Sequence, residues 1–298
     1  MSDGIVTQPR RDLTKYLMLL AISLFWGLNW PAVKTILSQV PPLTLRAVGF
    51  TLGAVIILTL TRLSGRSLAI PRRDWPSLVA AGVCNVLVFN LCTAFAQLGM
   101  ATSRAAVIAF TMPVWATLLA IPVLKEWPRR QQIAGLVCGM AGLAVLLGPN
   151  GLQQGFGPGL MLIAAVSWAI GTIVMKRHVW GGAVMAVTGW QYVISAIPMV
   201  ILASLLETPP DPATFPLPVW VAISWHLLLS LCAAQVLWFV VVSRVSVGQA
   251  AVSTLLIPVV GVSGSVLLLG DTLTPTLVIA LALILTGVAC VLLPARKR

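Results

Sequence analysis

The stretch RAAVIAFTMPVWATLLAIPVLKE, residues 104–126, holds no charge between Arg104 and Lys125 and is apolar through most of that length. About 20 such residues wound as a helix cross the hydrocarbon core of a bilayer. The stretch has a second copy. In QAAVSTLLIPVVGVSGSVLLLGD, residues 249–271, Ala250, Ala251 and Val252 repeat Ala105, Ala106 and Val107, Pro258 repeats Pro113, and Asp271 stands for Glu126, all at an offset of 145. At the same offset Gly287 falls on Gly142, Leu292 on Leu147 and Pro294 on Pro149, while Trp168 and Lys176 fall on Trp26 and Lys34 at an offset of 142. The chain reads as a duplicated set of membrane spans.

Composition agrees. Of 298 residues, 59% are apolar and 9% charged, against about 25% charged in a soluble domain. This excludes a soluble enzyme, a nucleic-acid binder and a secreted disulfide module. Ten apolar windows follow, at about 17–36, 43–61, 76–98, 104–123, 130–148, 157–176, 183–205, 219–243, 248–269 and 274–293. They lack the ten-residue alternation of a barrel, so they are predicted to be helices. Arg10, Arg11 and Lys15 ahead of the first window resemble a signal peptide, but the apolar run continues without a small-x-small cleavage site, and it is read as a span that stays. Cys84, Cys92, Cys138, Cys232 and Cys290 lie inside windows with no CxxC pair and read as packing residues.

The net charge of +12 is arranged along the membrane normal rather than on one polar face. With the N-terminus in the cytoplasm, 16 of the 19 Lys and Arg fall in cytoplasmic segments, and Lys34, Arg46 and Arg104 lie near outer ends. Both termini are therefore expected inside, with an even number of spans. Each half holds five spans, an odd number, so the halves are expected to run in opposite orientations.

The run Phe25-Trp26-Gly27-Leu28-Asn29-Trp30, then Lys34, Pro41-Pro42 and Arg46, resembles the start of an EamA repeat of the drug/metabolite transporter superfamily. So does the passage from Ala105-Ala106 through Pro113 to Lys125-Glu126, Gly135 and Gly142, with a second copy ending in Gly270-Asp271 and Gly287. The resemblance covers nearly the whole chain. It departs at Gln191, where Arg46 would fall, and at Ala280, where Gly135 would fall. It implies a carrier that exports small metabolites, amino-acid exporters being one branch and aromatic amino-acid exporters among them, with spans 1, 3, 4, 6, 8 and 9 lining a cavity.

Chemistry has few residues to work with. Asp3, Asp12, Asp74, Glu126, Glu207, Asp211 and Asp271 all lie in tails, loops or span ends, which argues against an intramembrane carboxylate relay for protons or sodium. HExxH, a phosphate-binding glycine loop and paired carboxylates are missing from the sequence, so no catalytic residue, metal or cofactor is expected. The span interiors instead offer aromatic and neutral polar groups. Trp26, Asn29 and Trp30 share one face of span 1. Span 3 offers Asn85, Phe89 and Asn90, span 4 Trp115, span 6 Trp168, and span 8 Gln235 and Trp238. An amide facing lipid is costly, so these faces are expected to turn inward as substrate-binding walls. Trp75, Trp127, Trp180 and Trp220 at span ends read as interfacial anchors. Pro113 and Pro258 are expected to kink spans 4 and 9 as a hinge or gate.

Three further residues have plainer readings. His226, near the outer end of span 8, is a candidate proton or carboxylate partner, with an interfacial residue open to water as the commoner reading. Lys34 and Arg104 could attract an anionic or zwitterionic solute, but snorkelling to headgroups explains them without any site. Gly135-x-x-x-Gly139 is a helix-contact motif, within the chain or between copies.

The sequence thus predicts an all-α integral membrane protein of ten transmembrane helices in two inverted five-helix repeats. The expected divisions are a tail over 1–16, repeats over 17–148 and 157–293, a connection over 149–156 and a basic tail over 294–298. It is expected in the bacterial inner membrane, exporting a small-molecule metabolite, an amino acid foremost, by alternating access through a central cavity, as facilitated diffusion or exchange. A monomer is plausible, and nucleic acid is no partner. The rival readings are a multidrug or cation effluxer of the same superfamily and a membrane scaffold that transports nothing.

Overall fold

The computed structural model describes residues 9–125, 127–128, 130–148, 155–242 and 247–292. All regular structure among them is helical, as a bilayer demands of a chain whose backbone groups must be satisfied within each segment. The helices are α1 (Pro9–Gly27), α2 (Asn29–Ile36), α3 (Pro42–Leu63), α4 (Trp75–Ala81), α5 (Phe89–Leu98), α6 (Thr102–Ala109), α7 (Met112–Leu124), α8 (Arg130–Leu147), α9 (Gly157–Arg177), α10 (Val184–Leu206), α11 (Leu217–Ser224), α12 (Ala234–Val242), α13 (Val247–Leu269) and α14 (Pro275–Leu292). The chain is a multi-pass membrane protein. Among the described residues, eight helical stretches are long and apolar enough to cross a membrane, from Leu17–Ile36 to Leu217–Trp238, and two shorter apolar stretches, Leu256–Leu269 and Pro275–Cys290, follow.

Several spans are interrupted, each for a local reason. Pro31 has no N–H for the carbonyl of Gly27, and the helix breaks at Leu28 between α1 and α2. Pro113 leaves the carbonyl of Ala109 in the same position, and the chain turns at Phe110 and Thr111 between α6 and α7. There Thr111 Oγ1 donates to Ile108 O at 2.7 Å and accepts from Trp115 Nε1 at 3.0 Å, bridging the turn. Pro258 differs from its repeat mate, because α13 runs through it unbroken.

Spans 3 and 8 carry interruptions of another kind. A π-helical segment, Gly82–Val88, joins α4 to α5, and a second, Trp225–Ala233, joins α11 to α12. Shifting 82–88 by the repeat offset of 145 lands inside the second segment, so the two interruptions are repeat mates. A π turn inserts a residue and swings carbonyls off the helical ladder. Those carbonyls find tertiary donors: Ser167 Oγ on Cys84 O at 2.9 Å, Ser195 Oγ on Gly82 O at 3.0 Å, Trp26 Nε1 on Ser230 O at 3.1 Å and Tyr192 Oη on Leu231 O at 3.2 Å.

The packing of the spans follows the duplication. α3 lies against α10 in antiparallel fashion: Leu43 N and Thr44 N donate to Glu207 at one end, at 2.9 and 2.7 Å, and Gly189 faces Leu58 at the other. α8 lies antiparallel on α14, Gly142 meeting Ala280 and Ile284 while Gly287 meets Gly135 and Gly139. The glycine motif of span 5 therefore works within the chain. The other helices exchange partners between halves: α1 packs on α12 and α13, and α9 on α5, α6 and α7. At the end of the bundle where α3 finishes, Asp74 accepts from Gly181 N at 2.9 Å and pairs with His178 Nε2 at 2.9 Å, whose Nδ1 meets Ser77 Oγ at 3.1 Å. Trp190 Nε1 donates to Leu68 O at 2.9 Å beside them.

Candidate functional site

The partner exchange sets up two polar and aromatic walls. The first joins spans 1 and 8. Trp26 rests on Trp238 with ring centroids 5.6 Å apart, and its indole N–H reaches into the π segment of span 8. The break after Gly27 places Asn29 at the start of α2, where Oδ1 meets His226 Nδ1 at 2.7 Å. Ser230 Oγ and Trp225 Nε1 both donate to Phe25 O, at 2.7 and 3.3 Å. This wall combines three indoles, an imidazole, an amide and a hydroxyl.

The second wall joins spans 3 and 6. Phe89 lies 4.8 Å from Trp168, centroid to centroid, and Asn85 presses on the backbone of Gly171, where any side chain larger than hydrogen would collide with the amide. Asn85 Oδ1 is buried with no hydrogen-bond donor among the described residues. Trp168 keeps 38% of its surface exposed. Trp26 and Trp168, which the repeat puts at equivalent positions, thus each face an aromatic on a π-interrupted span.

The remaining expected residues divide. Trp30 and Trp115 both pack against one core cluster built on Ala105, Val107, Ile108 and Val262. Asn90 turns its amide back to Val86 O at 2.9 Å, and it is its carbonyl that reaches outward, to Arg46. Gln235 lies half-buried at the start of α12. A cavity of about 510 Å³ opens elsewhere, at the Asp74 end, lined by Arg66, Ser67, Ile70, Pro71, Gly181 and Gly182 among others.

Two residues have places that their sequence positions did not reveal. His226 is 2% exposed, not a wet interfacial residue, because the π turn rotates it inward onto Asn29. Arg46, read as an outer-end charge, is also 2% exposed; its Nε donates to Asn90 O at 3.0 Å and its Nη2 to Thr93 Oγ1 at 3.3 Å. The signal that could have found it is the lack of a carboxylate at helical spacing around it. Lys34, too, is tied within the protein, to Gln97 O.

The EamA-like transporter family model matches residues 13–148 and again 155–293 of this chain. The chain belongs to that family. As an EamA-like transporter it is similar to a probable amino-acid metabolite efflux pump of Salmonella typhimurium, 29% identical over 287 residues that cover 90% of this chain and 91% of the relative. A probable amino-acid metabolite efflux pump of Escherichia coli K12 is 25% identical over 90% of this chain and 91% of its own. The uncharacterized transporter YoaV of Bacillus subtilis is 23% identical over 91% and 94%. A crystal structure covering 93% of this transporter and 96% of its own chain superposes with a TM-score of 0.66 at 22% identity, a likeness of fold.

Proposed function

We propose that this transporter exports small zwitterionic metabolites, amino acids foremost, by alternating access in the bacterial inner membrane, with ten spans and both termini cytoplasmic. The repeats would span 17–148 and 157–293, joined by 149–156 and flanked by tails at 1–16 and 294–298. The observation that carries the reading is the exchange of partners between halves, α1 on α12 and α9 on α5, which puts a polar and aromatic wall at each crossing. Repeat mates α3 and α10 run antiparallel, as do α8 and α14, which is the relation expected of inverted halves. Such halves trade conformations to open a shared site to either side.

In this reading Trp26, Asn29, Trp30, Asn85, Phe89, Asn90, Trp115, Trp168, Gln235 and Trp238 line the path, with Pro113 and Pro258 as its hinges. Asn90 contributes by holding Arg46 through its main-chain carbonyl. The names of the Salmonella and Escherichia relatives support an amino-acid cargo. The buried Arg46 disfavours a cationic drug, because a cation would meet like charge there. Without an acidic residue in mid-span, movement runs down the solute gradient or by exchange.

Counterflow in proteoliposomes tests this. Vesicles preloaded with single unlabelled amino acids should accumulate a labelled one for a subset of preloads, with or without a pH gradient. Equal behaviour of protein-containing and empty vesicles for every amino acid would remove the reading.

A further inference from the structure

Arg46 and His226 together hold an unmet pair of hydrogen-bonding needs. The Arg46 guanidinium spends Nε and Nη2 on Asn90 O and Thr93 Oγ1, while Nη1 is buried with no acceptor among the described residues. No carboxylate lies within ion-pair distance of it among those residues. Glu207, which follows α10 and caps the start of α3, already accepts from Leu43 N, Thr44 N and Thr44 Oγ1. An ion taken from water with no counter-ion costs several kcal/mol. A guanidinium stays charged under such conditions, and no described residue supplies its anion.

The second need is of opposite sense. His226 Nδ1 lies 2.7 Å from Asn29 Oδ1, an oxygen that can only accept. The imidazole proton therefore sits on Nδ1, and Nε2 keeps a lone pair. Nε2 is also buried and without a partner among the described residues. It faces Gly49, 3.5 Å from where a Cβ would stand. Gly49 follows Arg46 by three residues, so both lie on one face of α3. A donor lacking an acceptor and an acceptor lacking a donor thus belong to one face of α3.

We propose that Arg46 and His226 are the zwitterion-recognising pair of this transporter: Arg46 Nη1 donates to the substrate carboxylate, and His226 Nε2 accepts from the substrate ammonium. This rests on the amino-acid reading above and names the groups that decide it. A monoanionic carboxylate fits better than a phosphate. Only one arm of the guanidinium fork is open, and the lone pair of Nε2 would repel a dianion. The pair occurs in one half only, since Gln191 stands where the repeat would place a second arginine and turns its amide to Met175 Sδ at 3.5 Å. A symmetric structural strut would have been duplicated with the rest.

The test is thermal shift on the full chain in detergent, with the twenty amino acids, their decarboxylated amines and their deaminated acids. L-phenylalanine, phenethylamine and 3-phenylpropanoate form one such trio. The wild type should be stabilised by at least one amino acid, by about 2–4 °C. The matching acid should stabilise less and the amine not at all. Arg46→Met should fold, melt no lower than the wild type because an uncompensated charge is gone, and lose the response to carboxylates. Arg46→Lys, which keeps the charge, should retain part of it. His226→Phe should narrow the gap between amino acid and acid.

An amine that stabilises as well as its amino acid would overturn the proposal and leave amino-acid transport standing. So would an Arg46→Met protein that still responds to carboxylates, or a wild type stabilised by no compound bearing one. Carboxylates that act through Arg46 while no amino acid gives counterflow would instead sink the transport reading and keep the anion site.

Discussion

The Trp26 indole N–H donates to the carbonyl of Ser230 at 3.1 Å, across the contact between span 1 and span 8. That carbonyl is available because the π turn of span 8 lifts it from the helical ladder. Trp26→Phe keeps the ring against Trp238 and removes the donor. It should cost about 1 kcal/mol of stability, read as a lower melting temperature, and slow counterflow. Trp26→Ala, which also empties the ring's place, should cost about 3–5 kcal/mol.

Asn29 and His226 form a pair whose members depend on each other. Asn29→Leu strands the imidazole Nδ1–H in an apolar setting and should lower stability by about 1–3 kcal/mol. His226→Leu should do the same to the amide. The double substitution removes both polar groups and should melt above either single variant, a positive coupling in the double-mutant cycle. Additive losses would show that the two groups act separately.

The turn before Pro113 is held by the Thr111 hydroxyl, between Ile108 O and Trp115 Nε1. Thr111→Val should destabilise by about 1–3 kcal/mol, because a donor and an acceptor lose their partner at once. Pro113→Ala allows α6 and α7 to merge. Its melting temperature should rise while counterflow slows by roughly tenfold, the effect of about 1.4 kcal/mol on a barrier. Unchanged counterflow would make the break a packing detail rather than a hinge.

A Cβ at Gly287 would come within 2.6 Å of Gly135 O and 2.7 Å of Gly139 N. Backbone cannot yield as a flexible side chain can. Gly287→Val should destabilise by about 1–3 kcal/mol and lower membrane yield. The ratio of rates among amino-acid substrates should stay fixed, since α8 and α14 stand apart from both walls.

Asp74 fastens the loop after α9 through Gly181 N and His178. Asp74→Ala removes hydrogen bonds to a charged acceptor, each worth about 1.5–3 kcal/mol, and should shift that end toward an open form by roughly tenfold or more. A cysteine placed at Ser67, which lines the nearby cavity, should then react with an impermeant maleimide faster by a similar factor.

Much of this architecture was open to reading, because the bilayer imposes long apolar segments and duplication leaves identical residues at fixed offsets. Trp26, Asn29, Phe89, Trp168 and Trp238 stand out in the sequence by type and spacing, and the structure sets Trp26 against Trp238 and Phe89 against Trp168, while Asn29 meets His226. Arg46 and His226 were misplaced, since distance from a span end is a poor measure of burial when a π turn rotates one helix and a neighbouring carbonyl ties down the other side chain. Pro113 and Pro258 looked alike in sequence. Only Pro113 sits beside a break, because the Thr111 hydroxyl there replaces the helical bonds lost at the turn. The π segments left no mark that hydrophobic periodicity could detect.

The exchange of partners between the halves bears on how the chain is completed. Each matched half owns one side of each wall and the complement of neither, so neither half alone could close a wall. The two halves are also unlike where they would correspond, with Arg46 in one and Gln191 in the other, so the finished molecule has two different sides.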